Sequence, residues 1–167
     1  FNKTTPKIFV MDTLKALLLS VLIGIPLILS IIWVMDKYKE NWWFIAWALL
    51  TTFQLLMVWA YPVFIAPLFN KFSNLEDGEV KNKVLKLLDR TGFKSKGLFV
   101  MNASMRSSHG NAYFTGFGKN KRIVFFDTLI KTLEPDEVES VLAHELGHYH
   151  KKHILKSIIK SILISLV

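Results

Sequence analysis

Cysteine is absent from all 167 residues. That excludes disulfides and every thiolate metal site, so any metal must be held by imidazole and carboxylate. Acidic residues are also scarce, 13 against 21 Lys and Arg, which leaves a formal charge of +8. A basic balance suits anionic lipid or nucleic acid. No stripe of basic residues interleaved with aromatics supports nucleic acid, so nucleic acid is not an expected partner. Internal repeats, low-complexity tracts and a signal peptide are missing too. Both ends read as cut, and the chain reads as a piece of a longer protein.

What is abundant is apolar. Hydrophobic residues make up 51%, and the mean hydropathy is +0.34. Ala16 to Met35, "ALLLSVLIGIPLILSIIWVM", carries no charge over twenty residues. A helix rising ~1.5 Å per residue crosses ~30 Å of hydrocarbon in that length. Gly24 and Pro26 weaken a soluble helix but are tolerated in a membrane helix. After the polar "DKYKEN", Trp42 to Phe69 forms a second stretch. Trp42, Trp43 and Trp47 lie at its start and Trp59 and Tyr61 near its end, as interfacial belts do. Pro62 and Pro67 are expected to end or kink it. A short connection makes the two stretches an antiparallel hairpin. Lys3, Lys7, Lys71 and the lysines beyond then share one side, which the positive-inside rule places in the cytoplasm.

From Asn70 the composition changes. Val80, Val84, Leu87 and Leu88 recur at helical spacing, with lysines opposite and Gly92 as the stop. Gly97 to Met101, Asn111 to Phe117 and Arg122 to Asp127 read as short strands, the last two joined by a "GKNKR" hairpin turn. A further helix begins near Pro135, with Asp136 and Glu137 in its first turn. A third apolar run starts at Ile154, interrupted by Lys156 and Lys160. The expected fold is mainly α: a multi-spanning helical membrane protein with a small α+β subdomain. Its parts are a membrane region (1–69), a mixed region of helices and short strands (70–153), which the motif below makes the catalytic region, and the start of a further membrane helix (154–167).

The chemistry concentrates in "VLAHELGHYH", Val141 to His150. On a helix, residues four apart differ by ~40° about the axis, so His144 and His148 share a face and can ligate one zinc. Glu145 lies beside them. It can take a proton from zinc-bound water and pass one to the leaving amine. Gly147 lets another backbone come close. The longer form of this motif continues with a glycine and a third histidine, where this sequence has Lys151 and Ile154. His153 falls about half a turn away from His144. His150 and His153 read as interfacial residues, and Glu134, Glu137 and Glu139 as cap and surface residues. A catalytic zinc needs three protein ligands and a water, so the third ligand is expected beyond Val167.

"NASMRSSHGNAYFTGFGKNKRIVFFDTLIKTLEPDEVESVLAHELGHYHKKH" (Asn102 to His153) resembles the integral-membrane type I CAAX prenyl endopeptidases. "FNKTTPKIFVMDTLK" and "PLFNKFSNLEDGEVK" resemble them too, so the likeness covers nearly the whole chain. The resemblance implies a multi-spanning zinc protease with a large intramembrane chamber. It implies removal of the last three residues from a prenylated Cys-a-a-X terminus, and one zinc per full-length chain. His144 and His148 become ligands, Glu145 the base, and a glutamate on a later helix the third ligand. "NAYF" resembles the edge strand of thermolysin-like proteases. Asn111 would then hold the substrate backbone, and the Ala112 carbonyl would face the attacking water; an ordinary strand and turn is the structural alternative. Arg106 pairs with a substrate carboxylate or serves its loop.

The expected partners are a peptide or protein substrate, prenylated or not, and the lipid bilayer. The expected setting is a bacterial inner membrane, or the endoplasmic reticulum in a eukaryote. Two other classes fit less of the chain: a heat-shock-type membrane quality-control metalloprotease, and a non-catalytic membrane scaffold with a degenerate site. The intact Glu145 argues against the scaffold.

Overall fold

The structure, a computed structural model, describes residues 2–116, 121–151 and 153–165. Helix α1 (Pro6–Leu19) starts where Thr5 accepts the Ile8 N–H at 3.3 Å and Pro6 occupies the first turn. Both are ordinary N-terminal devices, a hydroxyl for an orphan donor and a ring that needs none. The helix runs through a π-helical turn (Ser20–Gly24) into α2 (Ile25–Lys37), giving 32 continuous residues. A turn then leads to α3 (Trp42–Ala60), a second π-helical turn (Tyr61–Ile65) and α4 (Ala66–Phe69), together 28 residues.

The π turns have a cause. Proline cannot donate to the carbonyl four residues back and its ring crowds it. Pro26 would meet Leu22 and Pro67 would meet Val63, and each of those residues lies inside a π turn. A widened turn is a known way to absorb such a misfit. The expectation for the second stretch is therefore refined: Pro62 and Pro67 interrupt the α geometry, but the helix continues to Phe69.

Both helices are long and apolar enough to cross a membrane, and only 6% of the most apolar window of each is buried. A soluble core helix would be mostly covered, whereas Leu17, Leu22 and Leu29 are 61%, 61% and 59% exposed. The hydroxyls of Thr13, Ser20, Ser30 and Thr52 each donate to the carbonyl four residues earlier at 2.7–2.8 Å. That satisfies polar groups without water. The two helices pack at their shared turn, where Val34 and Ala46 are buried.

Beyond Asn70 lies a four-stranded sheet: β1 (Phe72–Asn74), β2 (Leu98–Met101), β3 (Ala112–Thr115) and β4 (Arg122–Phe126). The spatial order is β1-β2-β4-β3, with β2 and β4 parallel and the other pairs antiparallel. Strands β3 and β4 pair as expected; the last residue of the expected first strand, 117, and residues 118–120 of the proposed turn lie outside the described residues. Helix α5 (Glu79–Thr91) connects β1 to β2 and ends at Gly92, whose φ of 64° is left-handed and free of Cβ strain only for glycine. Helix α6 (Asp127–Thr132) follows β4 directly, then α7 (Pro135–His150) and α8 (His153–Ile164).

Alternation divides the sheet into two faces. Leu98, Ile123, Phe125 and Ala112 point to one side, where Val84, Leu87 and Leu88 of α5 and Val138, Leu142 and Leu146 of α7 complete the main core. Phe72, Phe99, Met101, Tyr113, Val124 and Phe126 form a smaller cluster on the other.

Candidate metal centre and substrate edge

Helix α7 carries the motif and is oriented by its apolar stripe. Val138 and Leu142 are fully buried and Leu146 nearly so, at intervals of four. Glu137 Oε2 accepts the Glu134 N–H at 2.9 Å, the return half of a capping box. With the stripe against the sheet and α5, helical geometry turns His144 and His148 outward, and both are exposed. Glu145 falls between the histidine face and the buried stripe and is half-buried.

The two imidazoles converge. Their Nε2 atoms lie 3.1 Å apart, with the rings edge to face at 73° and centroids 4.8 Å apart. Two nitrogens at ~2.0–2.1 Å from one tetrahedral ion are about 3.3 Å apart. The pair therefore fits a shared zinc with little movement. Without a cation the same atoms share a hydrogen bond whose donor depends on the tautomer. Among the described residues, no three His, Asp or Glu side chains cluster closely enough to hold a metal. The side chains of His150 and His153 lie outside the described residues. A Cβ on Gly147 would meet nothing within 4 Å beyond its own stretch of helix.

Strand β3 is an edge strand of the sheet, and α7 packs against it. The Asn111 carbonyl accepts the Phe126 N–H at 2.8 Å. Antiparallel alternation then directs the Ala112 backbone groups away from β4, toward the open edge. Asn111 is exposed, and its Oδ1 accepts the Ala112 N–H at 2.8 Å. The Ala112 carbonyl is thus the edge acceptor nearest the start of the strand.

The start of β3 is fixed from below. Thr128 Oγ1 donates to the His109 carbonyl at 2.7 Å, and a Cβ on Gly110 would sit 3.2 Å from the Leu129 Cα. Asp127 Oδ1 accepts the Ser104 N–H at 2.8 Å, and its Oδ2 accepts the Ser104 hydroxyl. Burial alone would raise the Asp127 carboxyl; the Ser104 hydrogen bonds, with Lys131, outweigh it and hold the group below the usual range.

Arg106 is a clamp. Its Nε and one Nη grip the Asp12 carboxylate at 2.8 and 3.0 Å; it also donates to the Phe69 carbonyl at 2.6 Å and to Asn70 Oδ1 at 3.2 Å. One guanidinium thus joins α1, the end of α4 and the loop before β3. Of the two readings of Arg106, this geometry is the structural one. Asp12 was not singled out from the sequence; its signal is that it is the one acidic residue of α1.

An apolar helical hairpin, a small sheet with an open edge, and a helix bearing convergent histidines place this chain among membrane metallopeptidase folds. Residues 74–167 match peptidase family M48, and residues 1–71 match the family described as CAAX prenyl protease N-terminal, five membrane helices. The chain belongs to peptidase family M48. The resemblance read from Asn102 to His153 is borne out. The chain is 44% identical over 162 residues to CAAX prenyl protease 1 of Saccharomyces cerevisiae, covering 96% of this chain and 36% of that protein. It is 46% identical over 160 residues to the CAAX prenyl protease 1 homolog of Arabidopsis thaliana, covering 95% and 38%. The crystal structure of S. mikatae Ste24p superposes with a TM-score of 0.93 at 44% identity, over 99% of this chain and 38% of that one. The chain thus spans less than two fifths of the length of these relatives.

Proposed function

We propose that the full-length protein is a multi-spanning, membrane-embedded zinc metalloendopeptidase that cleaves near the C-terminus of protein substrates, with its catalytic region facing the cytoplasm. The observation that carries this reading is the 3.1 Å approach of the His144 and His148 Nε2 atoms on one exposed helix face. These two side chains hold the zinc, and a carboxylate on a later helix is the third ligand. When bound, the zinc polarises the scissile carbonyl and acidifies a water.

The chain's own residues do the rest. Glu145, one residue from His144, takes the proton of the attacking water and returns it to the leaving amine. An extended substrate pairs with the open edge of β3, as peptides pair with other exposed strands. The Ala112 carbonyl orients the attacking water. Asn111 has its Oδ1 committed to the Ala112 N–H, which leaves its Nδ2 donors for a substrate carbonyl. The substrate class, a prenylated Cys-a-a-X terminus, rests on the names of the relatives.

The test is cleavage by full-length protein in detergent of peptides ending in Cys-a-a-X, with and without a prenyl thioether, read by mass spectrometry. The expected result is release of the terminal three residues, stopped by a chelator and restored by zinc. Chelator-insensitive cleavage, or cleavage only at internal bonds, would contradict the reading.

A further inference from the structure

The second face of the sheet, opposite the one on which α7 packs, holds a cavity. The strand registers put Phe99, Tyr113, Thr115, Arg122 and Val124 on the side away from α5 and α7. Facing them is the end of the second apolar helix, at Pro62, Val63 and Pro67, and between the two lies a cavity of about 490 Å³. Two cations line it, Lys71 and Arg122, and no acidic residue does. Neither makes an ion pair among the described residues, whereas Lys81, Lys83, Arg90, Arg106 and Lys131 all do. Arg122 lies over the Phe99 ring at 5.4 Å, which steadies the guanidinium without neutralising it.

Position narrows the ligand. The helix ends at Phe69, and Trp59 and Tyr61 mark where such a helix meets the headgroup layer. Beside the cavity, Val63, Phe64 and Leu68 are 44%, 59% and 49% exposed. A ligand here would have its charged end in a cationic, acid-free recess and an apolar surface running from it along the helix. A soluble anion uses only the first of these features. We propose that this cavity binds the headgroup of an anionic phospholipid, with Lys71 and Arg122 on its phosphate and its acyl chains along the helix end.

The experiment uses full-length protein in detergent, with phosphatidylglycerol or phosphatidylcholine added and bound lipid counted by native mass spectrometry. Phosphatidylglycerol should bind in preference, and more weakly as salt rises. Lys71→Gln and Arg122→Gln should each weaken it about fivefold, the effect of one cation near an anionic lipid surface. Arg122→Lys keeps the charge and should stay within about twofold of wild type. Lys86→Gln with Lys94→Gln removes the same net charge from exposed positions elsewhere and should change nothing. Equal binding of the two lipids by wild type would overturn the proposal. So would wild-type binding by the Lys71/Arg122 double variant, or an equal loss in the control pair. Displacement of the lipid by millimolar inorganic phosphate would overturn it too, since the site would then be one for free anions.

Discussion

At His144 and His148 the decisive quantity is the 3.1 Å between nitrogens that a helix had to bring together. If both imidazoles hold the zinc as proposed, removing one leaves a single ligand on this helix. His144→Ala in the full-length protein should therefore reduce bound zinc from about one per chain to near none. Metal analysis checks this, and an unchanged zinc content would move the site elsewhere. In the proposed reading Asn111 acts on substrate and not on metal. Asn111→Ala should lower kcat/KM about tenfold, ~1.4 kcal/mol, with zinc content unchanged. An unchanged kcat/KM would leave Asn111 its bond to Ala112 alone. The histidine pair is legible in sequence because a period of 3.6 makes residues four apart neighbours whatever surrounds them. The Arg106 clamp is not, because its partner Asp12 lies 94 residues away and nothing local announces the contact.

Among the elements, α5 and α7 are legible for a similar reason: Val84, Leu87 and Leu88, and Val138, Leu142 and Leu146, repeat at helical intervals on buried stripes. Strand β1 is not, since "FSN" is too short to show alternation and is a strand only because β2 pairs with it. Helix α6 is hidden too. It begins at Asp127 with no turn residue after Phe126, so "RIVFFD" reads as one strand. The Asp127 contact to Ser104 is what joins α6 to the turn at Ala103–Met105. Because the folded Asp127 carboxyl is held below its ordinary value, that tie contributes fully above an unfolded value near ~3.9. It is lost as pH falls through the folded value. The difference in thermal midpoint between wild type and Asp127→Asn should therefore be constant near neutrality and shrink in acid. A difference that grew as pH fell would contradict this sign. The π turns were likewise invisible: composition tolerates Pro26 and Pro67 in apolar helices, but not where the displaced carbonyls go.

For the whole molecule, the test of the centre is what the 167 residues can do by themselves. Among the described residues the histidine pair has no third ligand nearby. Two histidine ligands alone would leave two positions of a tetrahedral zinc to solvent. Residues 1–167 alone should thus bind zinc weakly and show no chelator-sensitive cleavage, and the hairpin should still enter membranes. Cleavage by the fragment at a rate near that of the full-length protein would place a third ligand within it, with His150 and His153 first in line. The centre itself is tested most directly by one rate: single-turnover cleavage by zinc-loaded, full-length Glu145→Gln. The amide keeps the shape of the carboxylate and cannot accept the proton. The account predicts that the zinc stays and cleavage falls by at least about a thousandfold. Cleavage by that variant near the wild-type rate would mean that Glu145 is not the base.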